Sequence, residues 1–162
     1  MIEINHLCKN FESNMVLDDL NLFIKRGETK VIIGRSGTGK SVLLKNVIGL
    51  IRPDHGSIKI HGKEVTDLSE REYNKIRMEM GMVFQGGALF DSLSVAENVG
   101  FGLIEHNHTD RKELLERIEE SLCLVGLCGI GNLMPSQLSG GMKKRVALAR
   151  AICIKPEIIL YD

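Results

Sequence analysis

Eight consecutive residues, Gly34-Arg35-Ser36-Gly37-Thr38-Gly39-Lys40-Ser41, fit the pattern GxxxxGK[ST]. The chemistry that suits this spacing is the cradling of a polyphosphate. Several backbone N–H groups must converge on phosphate oxygens, and glycines let the chain close around them. Leu43, Leu44, Val47 and Ile48 then recur at helical spacing, so the loop opens a helix whose positive end faces the bound anion. Lys40 would supply a point charge to the β- and γ-phosphates, and the Ser41 hydroxyl would ligate Mg²⁺. The continuous β-branched run Val31-Ile32-Ile33 before the loop reads as a strand covered on both faces. Gly34 to Ser41 is thus the expected nucleoside-triphosphate cradle.

A second constellation is Leu138-Ser139-Gly140-Gly141-Met142, followed by a basic, alanine-rich stretch from Lys143 to Ala151. Ser139 would cap a helix whose first residues are glycines, again an anion-binding geometry. Lys143, Lys144 and Arg145 read as a solvated basic face, or as cations that meet phosphate or acidic groups of a partner subunit. Two further segments pair an apolar strand with a polar end: Met82-Val83-Phe84 before Gln85, and Ile158-Ile159-Leu160-Tyr161 before Asp162.

In this order the motifs resemble those of the ABC transporter ATPases, over essentially the whole chain. The resemblance implies ATP and Mg²⁺ as ligands and Phe11 as the aromatic that stacks on the base. It implies catalytic roles for Lys40, Gln85 and Asp162, with Ser41, Gln85 and Asp162 around the metal. Ser139, Gly140 and Gly141 would contact the nucleotide of a second ATPase subunit, head to tail. A narrower wording, Phe84-Gln85-Gly86-Gly87-Ala88-Leu89-Phe90 and Leu133-Met134-Pro135-Ser136-Gln137, is similar to the ATPases of Mla/Mce-type phospholipid transport, with amino-acid importers as neighbours. The implied partners are a transmembrane permease, docked on Ala88–Leu93 through Leu89 and Phe90, and a substrate-binding lipid-transport protein. The implied place is the inner face of the cell membrane.

In that family a glutamate and later a histidine follow the aspartate that Asp162 resembles. The expectation from resemblance is therefore an incomplete domain, its C-terminal part missing, that binds ATP·Mg weakly and hydrolyses it negligibly. Such a chain would be a truncated remnant of an ATPase. The strand before the cradle would then become an exposed apolar edge.

The elements that must position these residues follow from patterning. Ile2–Asn5, Val16–Ile24, Thr29–Ile33, Ser57–His61, Gly81–Phe84 and Glu157–Tyr161 read as strands. Ser69/Glu72, Ser94/Glu97 and Asp110/Glu113 have capping-box spacing and start helices, the last with a stripe of Leu115, Ile118, Leu122 and Val125. In the helix after the cradle, Lys45 and Asn46 face away from the apolar side. The expected fold is α/β: a P-loop core with a mainly parallel sheet, an N-terminal antiparallel β subdomain and a helical subdomain. The subdomain spans would be about 1–28 and 57–66 for the β part, 29–52, 67–85 and 139–162 for the core, and 86–138 for the helices.

Composition narrows the rest. The chain has 162 residues, room for one domain, with 21 Lys+Arg against 21 Asp+Glu. Net charge is zero, so no global basic field points to nucleic acid. A long coiled coil or a second ATPase half, as in DNA-repair and translation relatives, has no room here. Cys8, Cys123, Cys128 and Cys153 lack a CxxC pair and read as buried reduced thiols rather than a metal site. His106 and His108 read as solvated loop residues. The uncharged stretch from Ser121 to Met142 carries Asn132, Pro135, Gln137 and glycines, which excludes it as a membrane span.

Overall fold

Apolar residues at alternate positions near the N-terminus build a sheet with one buried face. The computed structural model describes residues 1–12, 14–105 and 110–162, so the histidines His106 and His108 lie outside the described residues. The chain divides into two compact units, Met1–Ile76 and Arg77–Asp162.

In the first unit β1 (Ile2–Phe11) pairs with β2 (Asn14–Ile24) on one side and β3 (His55–Ile60) on the other, and β4 (Lys63–Glu64) completes the antiparallel order β2-β1-β3-β4. Ile2 faces Ile60 and Ile4 faces Ile58, and all four are buried. Such cross-strand apolar pairs are the unit of sheet stability. Strand β1 runs well past Asn5. The register shifts after Ile4, and His6 and Asp19 take positive φ (50° and 46°) while His6 Nδ1 meets Asp19 Oδ1 at 2.6 Å. Irregular pairing breaks strict alternation, which is why patterning ended the strand early.

Helix α1 (Lys40–Val47) buries Leu43 and Val47 as expected. Asn46, read as outward-facing, is instead buried, its amide donating to the Val42 carbonyl at 2.8 Å. Helix α2 (Glu70–Arg77) starts at the Ser69/Glu72 box, with the Ser69 hydroxyl 2.6 Å from Glu72 Oε2. The Tyr73 hydroxyl donates to the Val47 carbonyl at 2.8 Å, tying α2 to the end of α1.

In the second unit β5 (Met80–Val83) and β6 (Ile158–Tyr161) pair in parallel. Between them come α3 (Val95–Glu105), α4 (Arg111–Leu124), a 3₁₀ turn at Pro135–Gln137 and α5 (Gly140–Cys153). The span 86–138, expected to hold the helices, contains α3 and α4. The core of the unit joins Val95, Val99, Ile118, Leu122, Val146 and Ala149. On α4, Leu115 is 54% exposed and Leu114 packs in its place. Positions 114, 118 and 122 are spaced by four and share a face, whereas 115 lies a further 100° round. Asp110 caps α4 by accepting from Lys112 N, while Glu113 pairs with Arg117 instead of closing the box. Asn98 is fully buried: its Oδ1 accepts from Phe90 N at 2.8 Å, and its Nδ2 donates to the Phe90, Leu93 and Ser94 carbonyls at 3.0 Å each. One side chain thus fixes the loop that leads into α3.

Three expectations are corrected. The sheets are not mainly parallel: four of the six strands form the antiparallel sheet and only β5 and β6 run parallel. The run Thr29–Ile33 is not a strand. Among the described residues it joins no ladder, and Val31 and Ile33 are 74% and 91% exposed. β-Branched residues favour a strand only where neighbours supply hydrogen bonds and a packing surface. Finally, the cysteines are not all reduced and buried. Cys123 and Cys128 form a disulfide, and Cys8 and Cys153 are free, half-buried and buried. The helix end folds back on itself, which spacing alone did not show.

No helix among the described residues is long and apolar enough to cross a membrane.

The capping boxes make a pH prediction. Glu72 and Glu97 titrate below their ordinary value of 4.5, first through the Ser69 and Ser94 hydroxyls and then through the same serines' backbone N–H groups. A lowered folded pKa stabilises above the unfolded value, and that stability is lost as pH falls through the folded value. Urea midpoints should therefore drop between pH 6 and the acid side of the carboxylate range. The double variant Glu72→Gln/Glu97→Gln should show a shallower drop; an unchanged slope would contradict the assignment.

Candidate functional site: a phosphate cradle, two strand ends and a glycine-led helix

The cradle is formed by residues 34–41, ahead of and within the first turn of α1. Gly37 and Gly39 have φ of 81° and 90°, conformations that reverse the chain around a central space. Lys40 folds back into that space, its Nζ donating to the carbonyls of Gly34 at 2.9 Å and Arg35 at 2.6 Å. Thr38 Oγ1 also donates to the Arg35 carbonyl, at 2.8 Å. Arg35 thereby anchors the loop by its backbone. An ammonium held by neutral carbonyls at a helix N-terminus is a fitting place for anionic oxygens, which would make stronger, charge-assisted bonds. The cradle therefore fits a polyphosphate.

Phe11, 43% exposed, ends β1 beside the β1–β2 turn, where it pairs with Asn14. The Lys9 ammonium lies 5.6 Å from the centroid of its ring. Lys9 is held in turn by Asp54 at 2.7 Å, and the Asp54 carboxylate also accepts from Asn10 N at 2.6 Å. Those two bonds, the Lys9 side chain before the Asn10 backbone, hold the Asp54 carboxyl below its usual range. A Cβ on Gly39 would meet the Val16 carbonyl at 2.7 Å, so the hairpin that carries Phe11 packs directly on the cradle.

In the second unit the parallel register aligns Val83 with Tyr161, and Asp162 N donates to the Val83 carbonyl at 3.0 Å. Gln85 and Asp162 consequently sit at the same end of adjacent strands, both exposed. An amide oxygen and a carboxylate are hard oxygen donors, which fits Mg²⁺. The Ser41 hydroxyl is a donor of the same kind, on the first unit.

Ser139 is the N-cap of α5 and accepts from Met142 N at 3.3 Å. Gly140 and Gly141 have open space where a Cβ would stand, so packing within this chain does not require glycine there. Two functional features escaped patterning. Arg150 on α5 forks onto the carbonyls of Gly87 and Ala88, at 2.8 Å each, and clamps the loop that follows Gln85. Burial depresses the tendency of its guanidinium to hold its proton. Arg145, read as a solvated cation, donates to the carbonyls of Val125 and Gly126 at 3.2 and 3.3 Å. Leu89 packs against the helical core while Phe90 stays 43% exposed, its ring centroid 4.6 Å from that of Phe101.

Comparison with known proteins adds an independent line. Residues 17–162 match the family described as ABC transporter. The chain is 46% identical over 161 residues to the probable ribonucleotide transport ATP-binding protein mkl of Mycobacterium tuberculosis, covering 99% of this chain and 45% of that protein. It is 42% identical over 162 residues to the intermembrane phospholipid transport system ATP-binding protein MlaF of Haemophilus influenzae, covering all of this chain and 61% of MlaF. The ATP-binding cassette MJ0796, solved as a dimer in a post-hydrolysis state bound to ADP and Pi, superposes with a TM-score of 0.93 at 36% identity, over 100% of this chain and 73% of that one. The chain spans about half the length of the curated relatives it matches.

Proposed function

This chain belongs to the ABC transporter family, and on that premise we propose that it is the ATP-binding, ATP-hydrolysing part of a subunit that energises a membrane transporter moving phospholipid or another hydrophobic cargo. By family it is an ABC-type ATPase, and the P-loop fold it shares implies ATP with Mg²⁺. The observation that carries the reading is Lys40 seated among the carbonyls of its own loop, poised to exchange them for phosphate oxygens.

The geometry described above supports the following roles. Backbone N–H groups from Gly34 to Ser41 cradle the phosphates, Lys40 neutralises them, and Phe11 offers an aromatic face to the base. Ser41 on the first unit, with Gln85 and Asp162 on the second, are the oxygen donors proposed to hold Mg²⁺, which would supply positive charge against the phosphates. Ser139, Gly140 and Gly141 serve a second copy. Their exposed helix N-terminus, with no internal demand for glycine, suits close approach by the γ-phosphate on a facing subunit. A permease would bind at Ala88–Leu93, which Asn98 and Arg150 hold in shape. Such a subunit works at the cytoplasmic face of the membrane, without nucleic acid. The lipid assignment is supported by the likeness to MlaF and by the Gly-Ala-Leu-Phe segment after Gln85.

The test is capture of the protein with its membrane partners from source membranes, followed by extraction of bound lipid. The expected result is a permease complex carrying phospholipid and binding ATP·Mg. A permease complex free of phospholipid, or one that takes up ribonucleotides, would overturn the cargo.

A further inference from the structure

Outside the nucleotide machinery, the end of α4 and the turn after it gather three side chains that can each ligate a metal ion. Glu119 and Cys123 are four residues apart, so they share a helix face. The chain then turns back at once: Gly126 N donates to the Cys123 carbonyl at 2.9 Å, and Leu127 N to the Leu122 carbonyl at 2.9 Å. Leu127 is buried, which pins the turn and delivers Cys128 beside Cys123 with Cα atoms 4.4 Å apart. A donor atom from each of Glu119, Cys123 and Cys128 lies within 4.8 Å of the others, and all three residues are exposed. Glu119 is aimed: its Oε1 accepts from Gly129 N at 2.7 Å and lies 3.6 Å from Cys123 Sγ.

We propose that Glu119, Cys123 and Cys128 form a redox-gated site that takes one thiophilic divalent cation of the zinc class when reduced and closes as a disulfide when oxidised. Two thiolates and a carboxylate satisfy three positions of a tetrahedral ion and leave the fourth to water. The C-terminal end of α4 carries partial negative charge, which favours a cation there. The Gly129 N–H orients the carboxylate, as outer partners of metal ligands do. The turn is preformed, so little ordering opposes binding.

The two states interconvert by balanced steps. On metal binding, both thiols release a proton to solvent as their sulfurs bond the cation. On oxidation by a low-molecular-weight disulfide, one cysteine thiolate attacks it and expels one of its halves as thiolate. The second cysteine then attacks the mixed disulfide and expels the other half. The Cys pair loses two electrons, the small disulfide gains them, and the neutral disulfide that results offers the cation no thiolate.

The consequence reaches α5. Arg145 holds the Val125 and Gly126 carbonyls between the two cysteines, so the state of the site bears on the helix that Ser139 caps.

The test uses the whole protein with Cys8 and Cys153 replaced by Ser, which leaves only this pair. After reduction with a phosphine and its removal, Cd²⁺ is titrated alone, and the thiolate-to-cadmium charge-transfer band is read alongside native mass. One ion per chain is expected, with no band after oxidation by oxidised glutathione. Glu119→Gln should weaken binding by at least about tenfold while leaving disulfide formation intact, and Cys128→Ser should abolish both. Circular dichroism confirms folding of each variant. A reduced protein without the band, or Glu119→Gln binding as the parent does, would overturn the proposal.

Discussion

Lys40→Ala should raise the dissociation constant for ATP·Mg by about 100-fold, on the order of 3 kcal/mol, as expected when two charge-assisted bonds to phosphate are lost. The measurement is titration calorimetry at fixed salt, with folding checked by thermal melting. The Lys40 ammonium donates to the Gly34 and Arg35 carbonyls. Those acceptors are neutral and their loop is exposed, so the variant should melt near the parent temperature. Lys40→Arg should not rescue binding, because a planar fork does not replace a compact ammonium in a tight loop. Affinity unchanged within about threefold would remove the cradle from the nucleotide site.

The second large effect is on Gly39. An alanine there meets a backbone conformation of φ +90°, the Val16 carbonyl at 2.7 Å and Val16 Cγ1 at 2.9 Å. The left-handed conformation costs about 1–2 kcal/mol, and forcing a methyl against a neighbouring strand adds about 1–3 kcal/mol. For a chain of this size the melting temperature should fall by about 10 °C, and ATP binding should fail with it. Gly37→Ala is the control: its φ is 81°, but nothing lies within 4 Å of the added carbon. Only the conformational part then applies, and the melting temperature should fall by less than half as much. Equal losses at both positions would show that packing on Val16 is not what demands Gly39.

What could be read ahead of the structure was local. The start of α1 after Gly39, the Ser69/Glu72 and Ser94/Glu97 boxes and the Ser139 cap each depend on a few residues close in sequence, and each formed where spacing put it. What failed depended on partners distant in sequence. The run Val31-Ile32-Ile33 has strong strand preference, yet strand formation requires a neighbour. Asn46 sits on what patterning makes a polar face, but α2 covers that end of α1 through Tyr73. Cys123 and Cys128 lie five apart, a spacing with no fixed meaning until a pinned turn brings them together. Arg145 and Arg150 look alike in sequence, as cations on an amphipathic helix. Their targets are carbonyls roughly 20 and 62 residues away, beyond the reach of any helical pattern.

The Arg150 fork fastens the loop after Gln85 to α5. Gly87 and Ala88 are gripped near one end of the helix, and Ser139 caps the other. Ten residues separate Gly140 from Arg150, about 15 Å of rod at 1.5 Å per residue. Val146, Ala147 and Ala149, all fully buried, seat the rod between those two points. The loop after Gln85 and the Ser139 cap are thus carried on one packed helix rather than on separate loops.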